Sequence, residues 1–292
     1  MILQIIINGI IAGSIYSLIA ISFSIIYRTV RFFHLAHGAV YATGSYICFT
    51  LSKSLHLGFT FSFFLSIFFA SLLGISINRI IYAPLRKNKA SNLIFLLVSF
   101  GTLIFLQNLI ALIYGSQIMS LRTGSIKEGH QFFSSYITTN QLLILAVSII
   151  IMVFSWLLIK FARFGRAIRA VSDDPIAASI VGINPEKTIF AAFALGSALA
   201  GAAGVLISLE TNLEPTMGFS AILKGMIASI IGGIGSIPGA VAGGFLLGLI
   251  ENFGVWKIQA GWKDGISFAV LIIFLLLRPH GIIGKKSNNT QF

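Results

Sequence analysis

The chain has 292 residues, of which 57% are hydrophobic and 10% are charged, and its formal net charge is +12. A soluble globular protein carries roughly 25% charged residues. The composition therefore excludes a soluble enzyme, a disulfide-rich secreted module and a disordered chain. The basic residues lie in short gaps between apolar runs, which is typical of the cytoplasmic loops of a membrane protein and not of a nucleic-acid-binding surface.

Uncharged runs predict the spans in chain order. Residues 1–27 contain no charge and are too long for a signal-peptide core, so we interpret them as a retained first span. Further spans are predicted at 32–52, 57–78, 90–121, 137–159, 188–209 and 225–250, and in a last run that ends at Leu277. We expect two of these segments to be interrupted, 32–52 at His34, His37, Gly38 and Gly44, and 225–250 at the Gly- and Pro-rich stretch 232–239.

The positive residues predict the orientation. Gaps 79–89 and 160–187 are rich in Arg and Lys and are placed in the cytoplasm, together with a short tail at 285–292. The gap with Glu210 and Glu214 is placed outside, as is loop 122–136. If both pieces of the broken segment cross, there are about nine spans and the N-terminus is outside; if one is re-entrant, there are about eight and one end changes side.

The expected fold is an all-α polytopic membrane helix bundle with Gly-interrupted helices, formed by residues 1–284 as one transmembrane domain. Small residues recur at four-residue spacing, which lets helices approach closely in lipid. These residues are Gly9, Gly13 and Ser17 in the first span, the stripe Ala192, Gly196, Ala200, Gly204 and Ser208, and the pairs Gly239–Gly243 and Gly244–Gly248.

Few residues could carry chemistry. The sequence has no G-x-x-x-x-G-K-[ST] phosphate loop, and Cys48 is its only cysteine, so no internal disulfide can form. His34 and His37 lack a third ligand for a metal, and we expect histidines at a helix end or in a loop near the membrane interface. Lys224, Glu251 and Asp264 are functional candidates by default as ionisable residues in or beside spans. The simpler interpretation places them near span ends in hydrated headgroup space.

Residues 160–187 predict a docking element. Asp174 can cap a helix that starts at Pro175, and Gly182 can end it in the left-handed conformation. Ile176, Ala177 and Ile180 then share one side, which suits a groove on a cytoplasmic partner. An ordinary interfacial helix held by lipid headgroups is the alternative.

Four motifs resemble those of the branched-chain amino acid ABC transporter permeases. They are Asn8-Gly9 followed by GSIYSL at 13–18, FHLAHG at 33–38, GRAIRA at 165–170 followed by Asp173-Asp174, and GGIGSIPGA at 232–240. The order and spacing of the motifs carry the resemblance, which extends over almost the whole chain.

The resemblance implies an inner-membrane subunit of a bacterial ABC importer. Its partners would be a second related permease, two cytoplasmic ATPase subunits that bind ATP and Mg²⁺, and a periplasmic solute-binding protein; this chain would hold no cofactor. The solute would be a branched-chain or other neutral amino acid, and urea or a short amide remains an alternative within the same family. The cytoplasmic loop would couple to the ATPases through Gly165, Arg166, Arg169, Asp173, Asp174, Pro175, Ala177, Ile180 and Gly182.

The two interrupted segments lie in opposite halves of the chain, and broken helices in both halves point to a translocation path. The path residues predicted on this basis are Ser45, Tyr46, Gly233, Gly235, Ser236 and Pro238. There are two hypotheses from other functional classes. One is an ATP-independent channel or ion-coupled carrier, and the other is an intramembrane enzyme that uses His34 and His37.

Overall fold

The structure, a computed structural model, describes residues 1–122, 129–132 and 135–283. The predicted tail 285–292, and residues 123–128 and 133–134 of the predicted outer loop, lie outside the described residues. The helices of the described part are α1 (Ile2–Val30), α2 (His37–Phe49), α3 (Phe59–Ile77), α4 (Ala83–Lys87), α5 (Asn92–Tyr114), α6 (Thr139–Phe161), α7 (Arg163–Asp173), α8 (Pro175–Ile180), α9 (Pro185–Ser208), α10 (Met217–Gly232), α11 (Ile237–Lys257) and α12 (Lys263–Leu277). Single π-helical turns continue α2 (Thr50–Ser54) and α3 (Asn78–Tyr82), a 3-10 turn at Ala260–Trp262 precedes α12, and β1 (His130–Phe132) pairs antiparallel with β2 (Ser135–Ile137).

Local sequence signals set several helix starts. Thr138 and Gln141 form a capping box at the start of α6. Asn184 accepts a hydrogen bond from the Lys187 backbone N–H at the start of α9, directly before Pro185. Such caps satisfy the free N–H groups of the first turn, and proline fits there because it lacks an N–H.

Within the described residues, six helices are long and apolar enough to cross a membrane, judged by length and composition. This confirms an all-α, multi-pass membrane protein. Helices α2, α10 and α12 have 13, 16 and 15 residues, which is short for a hydrocarbon core of about 30 Å. The count of eight or nine spans and the sides of the two termini therefore stay predictions.

Helix α1 forms the centre of the bundle. Its most apolar window is 83% buried, and it contacts α6, α9, α10 and α11. A helix that is apolar on all sides is expected in the interior. The corresponding windows of α3, α5 and α6 are only 33, 28 and 28% buried, so these helices lie at the periphery and expose apolar faces.

Glycines let α1 and α11 pack at backbone distance. A Cβ atom added at Gly248 would lie 2.6 Å from the Gly13 Cα, and one at Gly244 would lie 2.6 Å from the Ser17 Cα. The predicted role of these small residues in close helix packing is confirmed. In the α9 stripe, a Cβ at Gly196 would lie 2.7 Å from a side-chain carbon of Ile26.

The two predicted interruptions differ in outcome. The break in the second half is present, because α10 ends at Gly232 and α11 starts at Ile237. In the first half, residues 32–36 are not helical and α2 starts at His37, so the segment is interrupted at His34 as predicted. The interruption predicted at Gly38 and Gly44 is wrong, because α2 runs through both. These glycines instead allow close packing, since an added Cβ would lie 2.9 Å from the Gly218 carbonyl carbon at Gly38 and 2.7 Å from the Gly201 Cα at Gly44.

Candidate functional site

The short helix α8 has the predicted start and end. The Asp174 carboxylate accepts hydrogen bonds from the backbone N–H groups of Ile176 at 2.8 Å and Ala177 at 3.1 Å. Pro175 occupies the first turn, and Gly182 follows the helix with a φ of 84°. A side chain at residue 182 would be strained in that conformation, so glycine marks the end of the helix.

The surface of α8 is apolar and open. Ile176, Ile180 and Val181 are 75, 81 and 73% exposed, whereas Ala178 is buried against the rest of the protein. An exposed apolar patch of this kind is available for contact with a protein or with the membrane interface. We call Ile176, Ala177, Ile180 and Val181 the α8 surface.

Helix α7 anchors α8 to the bundle. Ile168 and Val171 are buried, and an added Cβ at Gly165 would lie 2.6 Å from the Ile159 Cα, so α7 packs on the end of α6. Arg169 donates to the Ile159 carbonyl oxygen, whereas Arg166 is exposed. The two predicted coupling arginines therefore differ in environment, although they are three residues apart in one helix.

The break between α10 and α11 adjoins α7. Gly233 and Gly235 have φ values of 107° and 83°, and the Ser236 hydroxyl accepts a hydrogen bond from the Gly239 N–H at 3.2 Å. Arg28, near the end of α1, donates to the Gly235 carbonyl oxygen at 3.2 Å and from its Nε to the Ser172 hydroxyl at 3.3 Å. One arginine thus joins α1, α7 and the break.

A cavity of about 810 Å³ lies at this junction. Gly235, Ser236 and Pro238 line it, together with Asp173 of the predicted coupling set. These predicted path and coupling residues therefore adjoin one another at the end of the bundle that carries α8.

Ser45 and Tyr46 lie elsewhere, in the interior of the bundle on α2. Both are buried, and the Ser45 hydroxyl donates to the Tyr41 carbonyl oxygen of the preceding turn at 3.3 Å. The Tyr46 ring packs on Tyr114 with the ring centroids 4.7 Å apart. The Tyr46 hydroxyl has no hydrogen-bond partner among the described residues.

His34 and His37 are at a helix start, as expected, but both are fully buried and do not lie at an exposed interface. His34 Nδ1 lies 2.9 Å from the Tyr82 hydroxyl, and His37 Nε2 lies 2.8 Å from the Ser22 hydroxyl. The ring centroids are 5.5 Å apart. In the part of the chain that the structure describes, no group of three or more His, Cys, Asp or Glu side chains could hold a metal ion.

Lys224, Glu251 and Asp264 form a linked cluster, and the prediction that Lys224 and Glu251 lie near hydrated span ends is wrong. Lys224 lies in the middle of α10, and Glu251 is fully buried, with 0% of its surface exposed. The Lys224 Nζ lies 3.4 Å from a Glu251 carboxylate oxygen and 3.2 Å from an Asp264 oxygen. The Tyr16 hydroxyl donates to Glu251 at 2.7 Å, and the Ser267 hydroxyl donates to the same carboxylate. Buried charges are tolerated when they are paired and hydrogen-bonded in this way.

Sequence reasoning missed Tyr16, Ser267 and the role of Arg28. A tyrosine or serine in an apolar run carries no sign of which carboxylate it will meet in space. Arg28 entered the sequence argument only as a positive charge that sets orientation, because its contacts come from residues more than 140 positions later in the chain.

This chain matches known proteins over nearly its full length. Residues 5–275 match the family model for the branched-chain amino acid transport system permease component. The chain is 39% identical to the high-affinity branched-chain amino acid transport system permease protein LivH of Escherichia coli K12, and the match covers 97% of this chain and 96% of the relative. It is 38% identical to the corresponding protein BraD of Pseudomonas aeruginosa, with the same coverage. A probable LivH of Methanocaldococcus jannaschii is 30% identical over 95% of this chain and 91% of its own length.

One solved structure has a similar fold. PsaBC from Streptococcus pneumoniae in complex with Fab contains a chain that matches with a TM-score of 0.53 at 13% identity, covering 94% of this chain and 91% of that chain. This similarity concerns the fold alone. Because the family model and the relatives match nearly the whole sequence, the chain belongs to the branched-chain amino acid transport permease family and is a multi-pass membrane permease, not an enzyme.

Proposed function

We propose that this chain is the membrane subunit of an ATP-driven importer in the bacterial inner membrane. The α8 surface is the observation that carries the proposal. It is an exposed apolar patch on a capped helix, and it lies at the end of the bundle where Arg28, Arg31, Lys160 and Arg169 also lie. Positive residues favour the cytoplasmic side, so this end faces the cytoplasm and the α8 surface docks on an ATPase subunit.

The proposed complex contains a second related permease, two ATPase subunits and a periplasmic binding protein. ATP and Mg²⁺ bind to the ATPase subunits, which fits the lack of a phosphate loop in this sequence. The relatives are described as branched-chain amino acid permeases, and on that basis we propose leucine, isoleucine and valine as the solutes.

The first test replaces an apolar residue of the α8 surface. Ile180→Asp puts a charge into an apolar contact, and we expect retention of the ATPase subunits to fall by roughly thirtyfold or more. Uptake of radiolabelled leucine should fall with it. The measurements are mass identification of the subunits that co-purify with the tagged chain, and uptake in cells.

Ile118→Asp is the matched control, because Ile118 is also exposed, at 63%, but lies on the segment after α5. This variant should retain the ATPases. Normal ATPase retention and uptake in Ile180→Asp would contradict the proposal. Uptake that persists without any ATPase would support a channel or carrier instead.

We propose further that the solute passes the α2 region with Ser45 and Tyr46, and then the break between α10 and α11, beside Gly233, Gly235, Ser236 and Pro238. The test is Ser236→Phe, which adds bulk to the cavity wall and should lower leucine uptake in an assembled complex. Ser236→Ala is its control, because it removes the same cap, at a cost of about 1 kcal/mol, without adding bulk. Equal uptake by the two variants would contradict this placement.

A further inference from the structure

The cavity beside the break is strongly basic. Four cationic side chains line it, Arg28, Arg31, Lys160 and Arg169, and Asp173 is the one carboxylate among its described lining residues. Cations at such density repel one another unless counter-charges are present. The cavity is therefore set up electrostatically to hold an anion.

Asp173 is the one counter-charge that the described lining residues supply, and it acts on Arg28 from beyond ion-pair distance. Among the described residues, no carboxylate oxygen lies within ion-pair distance of these four side chains. The oxygens that the arginines meet are uncharged: Arg28 donates to Gly235 and Ser172, Arg31 donates to the Ser172 carbonyl, and Arg169 donates to the carbonyls of Ile159 and, at 3.5 Å, Lys160. These contacts orient the guanidinium groups, and one carboxylate against four cations leaves most of the positive charge of the cavity unneutralised.

The cavity borders α6, which lies at the apolar perimeter of the bundle. One wall is the end of α6, where Trp156 and Lys160 lie together, with the ammonium 4.5 Å from the ring centroid. The same helix exposes Ile150, Val153 and Phe154 at 66, 50 and 59%. A tryptophan and a lysine at the end of an apolar, outward-facing helix are typical of the level of the lipid headgroups.

We propose that this cavity binds a phosphate-bearing anion at its α6 wall, beside Lys160 and apart from the Ser236 wall proposed for the solute, and that the anion is the headgroup of an anionic phospholipid whose acyl chains lie along α6. Basic pockets between transmembrane helices on the cytoplasmic side bind such headgroups. The volume of about 810 Å³ leaves space for a phosphate group and its substituent. The alternative source of the same chemistry is a soluble phosphate.

A bound phosphate would join three helices. Arg28 belongs to α1 and contacts the break, Arg169 belongs to α7, which leads into α8, and Lys160 ends α6. Phosphate oxygens accept several guanidinium and ammonium donors at once. An anionic lipid therefore holds α7 against the break, and transport depends on the anionic lipid content of the membrane.

The experiment uses the full chain, purified in neutral detergent with the subunits that it retains. Native mass spectrometry measures binding of phosphatidylglycerol, and of phosphatidylcholine with the same acyl chains. The variant is Arg31→Gln with Lys160→Gln, and we expect a roughly thirtyfold loss of phosphatidylglycerol affinity. The matched control is Arg163→Gln with Lys187→Gln, which removes two exposed cations that do not line the cavity.

Phosphatidylglycerol should bind more tightly than phosphatidylcholine, and the control variant should keep that preference. Equal binding of both lipids, or unchanged binding in the Arg31 and Lys160 variant, would overturn the proposal.

A second arm adds inorganic phosphate at millimolar concentration without lipid. If phosphate alone binds the cavity and displaces phosphatidylglycerol, the soluble ion is the occupant and the lipid assignment is rejected. Loss of a co-purifying subunit from the Arg31 and Lys160 variant, with lipid binding intact, would make the cavity a protein contact and would also overturn the lipid assignment.

The orientation proposed above places this cavity on the cytoplasmic side. Failure of the importer function would appear as absent leucine uptake by the unmodified protein, whereas failure of the lipid proposal would appear only in these binding measurements.

Discussion

In the cluster of Lys224, Glu251 and Asp264, the burial of each carboxylate decides its contribution to stability more than its distance from the lysine does. Lys224 lies 3.2 Å from Asp264 and 3.4 Å from Glu251, but the Asp264 side chain is 63% exposed and that of Glu251 is 0% exposed. A solvated ion pair contributes about 0–1 kcal/mol. Removing one partner of a buried pair costs more, because a desolvated charge loses its counter-charge.

We therefore expect Glu251→Gln to destabilise the protein by about 3–5 kcal/mol, since the amide keeps the shape of the carboxylate but not its charge. Asp264→Asn should cost no more than about 1 kcal/mol. The measurement is the midpoint of thermal unfolding of both variants in one detergent. Equal shifts for the two variants, or a larger shift for Asp264→Asn, would show that burial does not decide the strength of this cluster.

At the scale of the element, glycine positions fix how closely helices approach. The α1–α11 contact depends on Gly13 and Gly248, because an added Cβ at Gly248 would lie 2.6 Å from the Gly13 Cα. Backbone atoms on both sides leave no flexible group that could move. Overpacking of this kind costs about 1–3 kcal/mol.

Gly248→Ala should accordingly lower the thermal midpoint, whereas Gly101→Ala should leave it unchanged or raise it. Gly101 lies inside α5 with nothing within 4 Å of an added Cβ, and alanine favours a helix by about 1 kcal/mol over glycine. Both variants have the same chemical change, so the difference between them reports packing. A loss of stability in Gly101→Ala equal to that in Gly248→Ala would refute the close-packing argument.

The sequence predicted the ends and breaks of helices better than the contacts between helices. The Asp174 cap, the Gly182 end of α8 and the break at 233–236 follow from local backbone chemistry, and all three are present. The interruption predicted at Gly44 is wrong, because a glycine in an apolar run indicates either a helix break or the close approach of a second helix. Only the position of Gly201 decides between the two. The Tyr16–Glu251 contact spans 235 positions, so no local pattern could indicate it.

At the scale of the whole molecule, the orientation decides which end is available to each partner. The basic cavity and the α8 surface belong to one end of the bundle, because Arg28 at the end of α1 contacts both Ser172 of α7 and Gly235 of the break. Charge then predicts that this end is cytoplasmic. An odd number of spans places the N-terminus on the opposite side from the end of α12, and an even number places both on one side.

Single cysteines test this prediction, and the chain suits the method because Cys48 is its only cysteine and is buried. After Cys48→Ala, we expect Ile2→Cys to react with a membrane-impermeant maleimide in intact spheroplasts. Ile180→Cys and Ile283→Cys should react only after the membrane is opened. All three native side chains are exposed in this chain, at 58, 81 and 48%. The variants are expressed without the ATPase subunits, so that no docked partner covers Ile180 and a lack of reaction reports the side of the membrane. Reaction of residues 2 and 283 from the same side would require an even number of spans and would reject the nine-span arrangement. Reaction of residue 180 from outside would place the α8 surface away from any ATPase and would reject the importer mechanism as well.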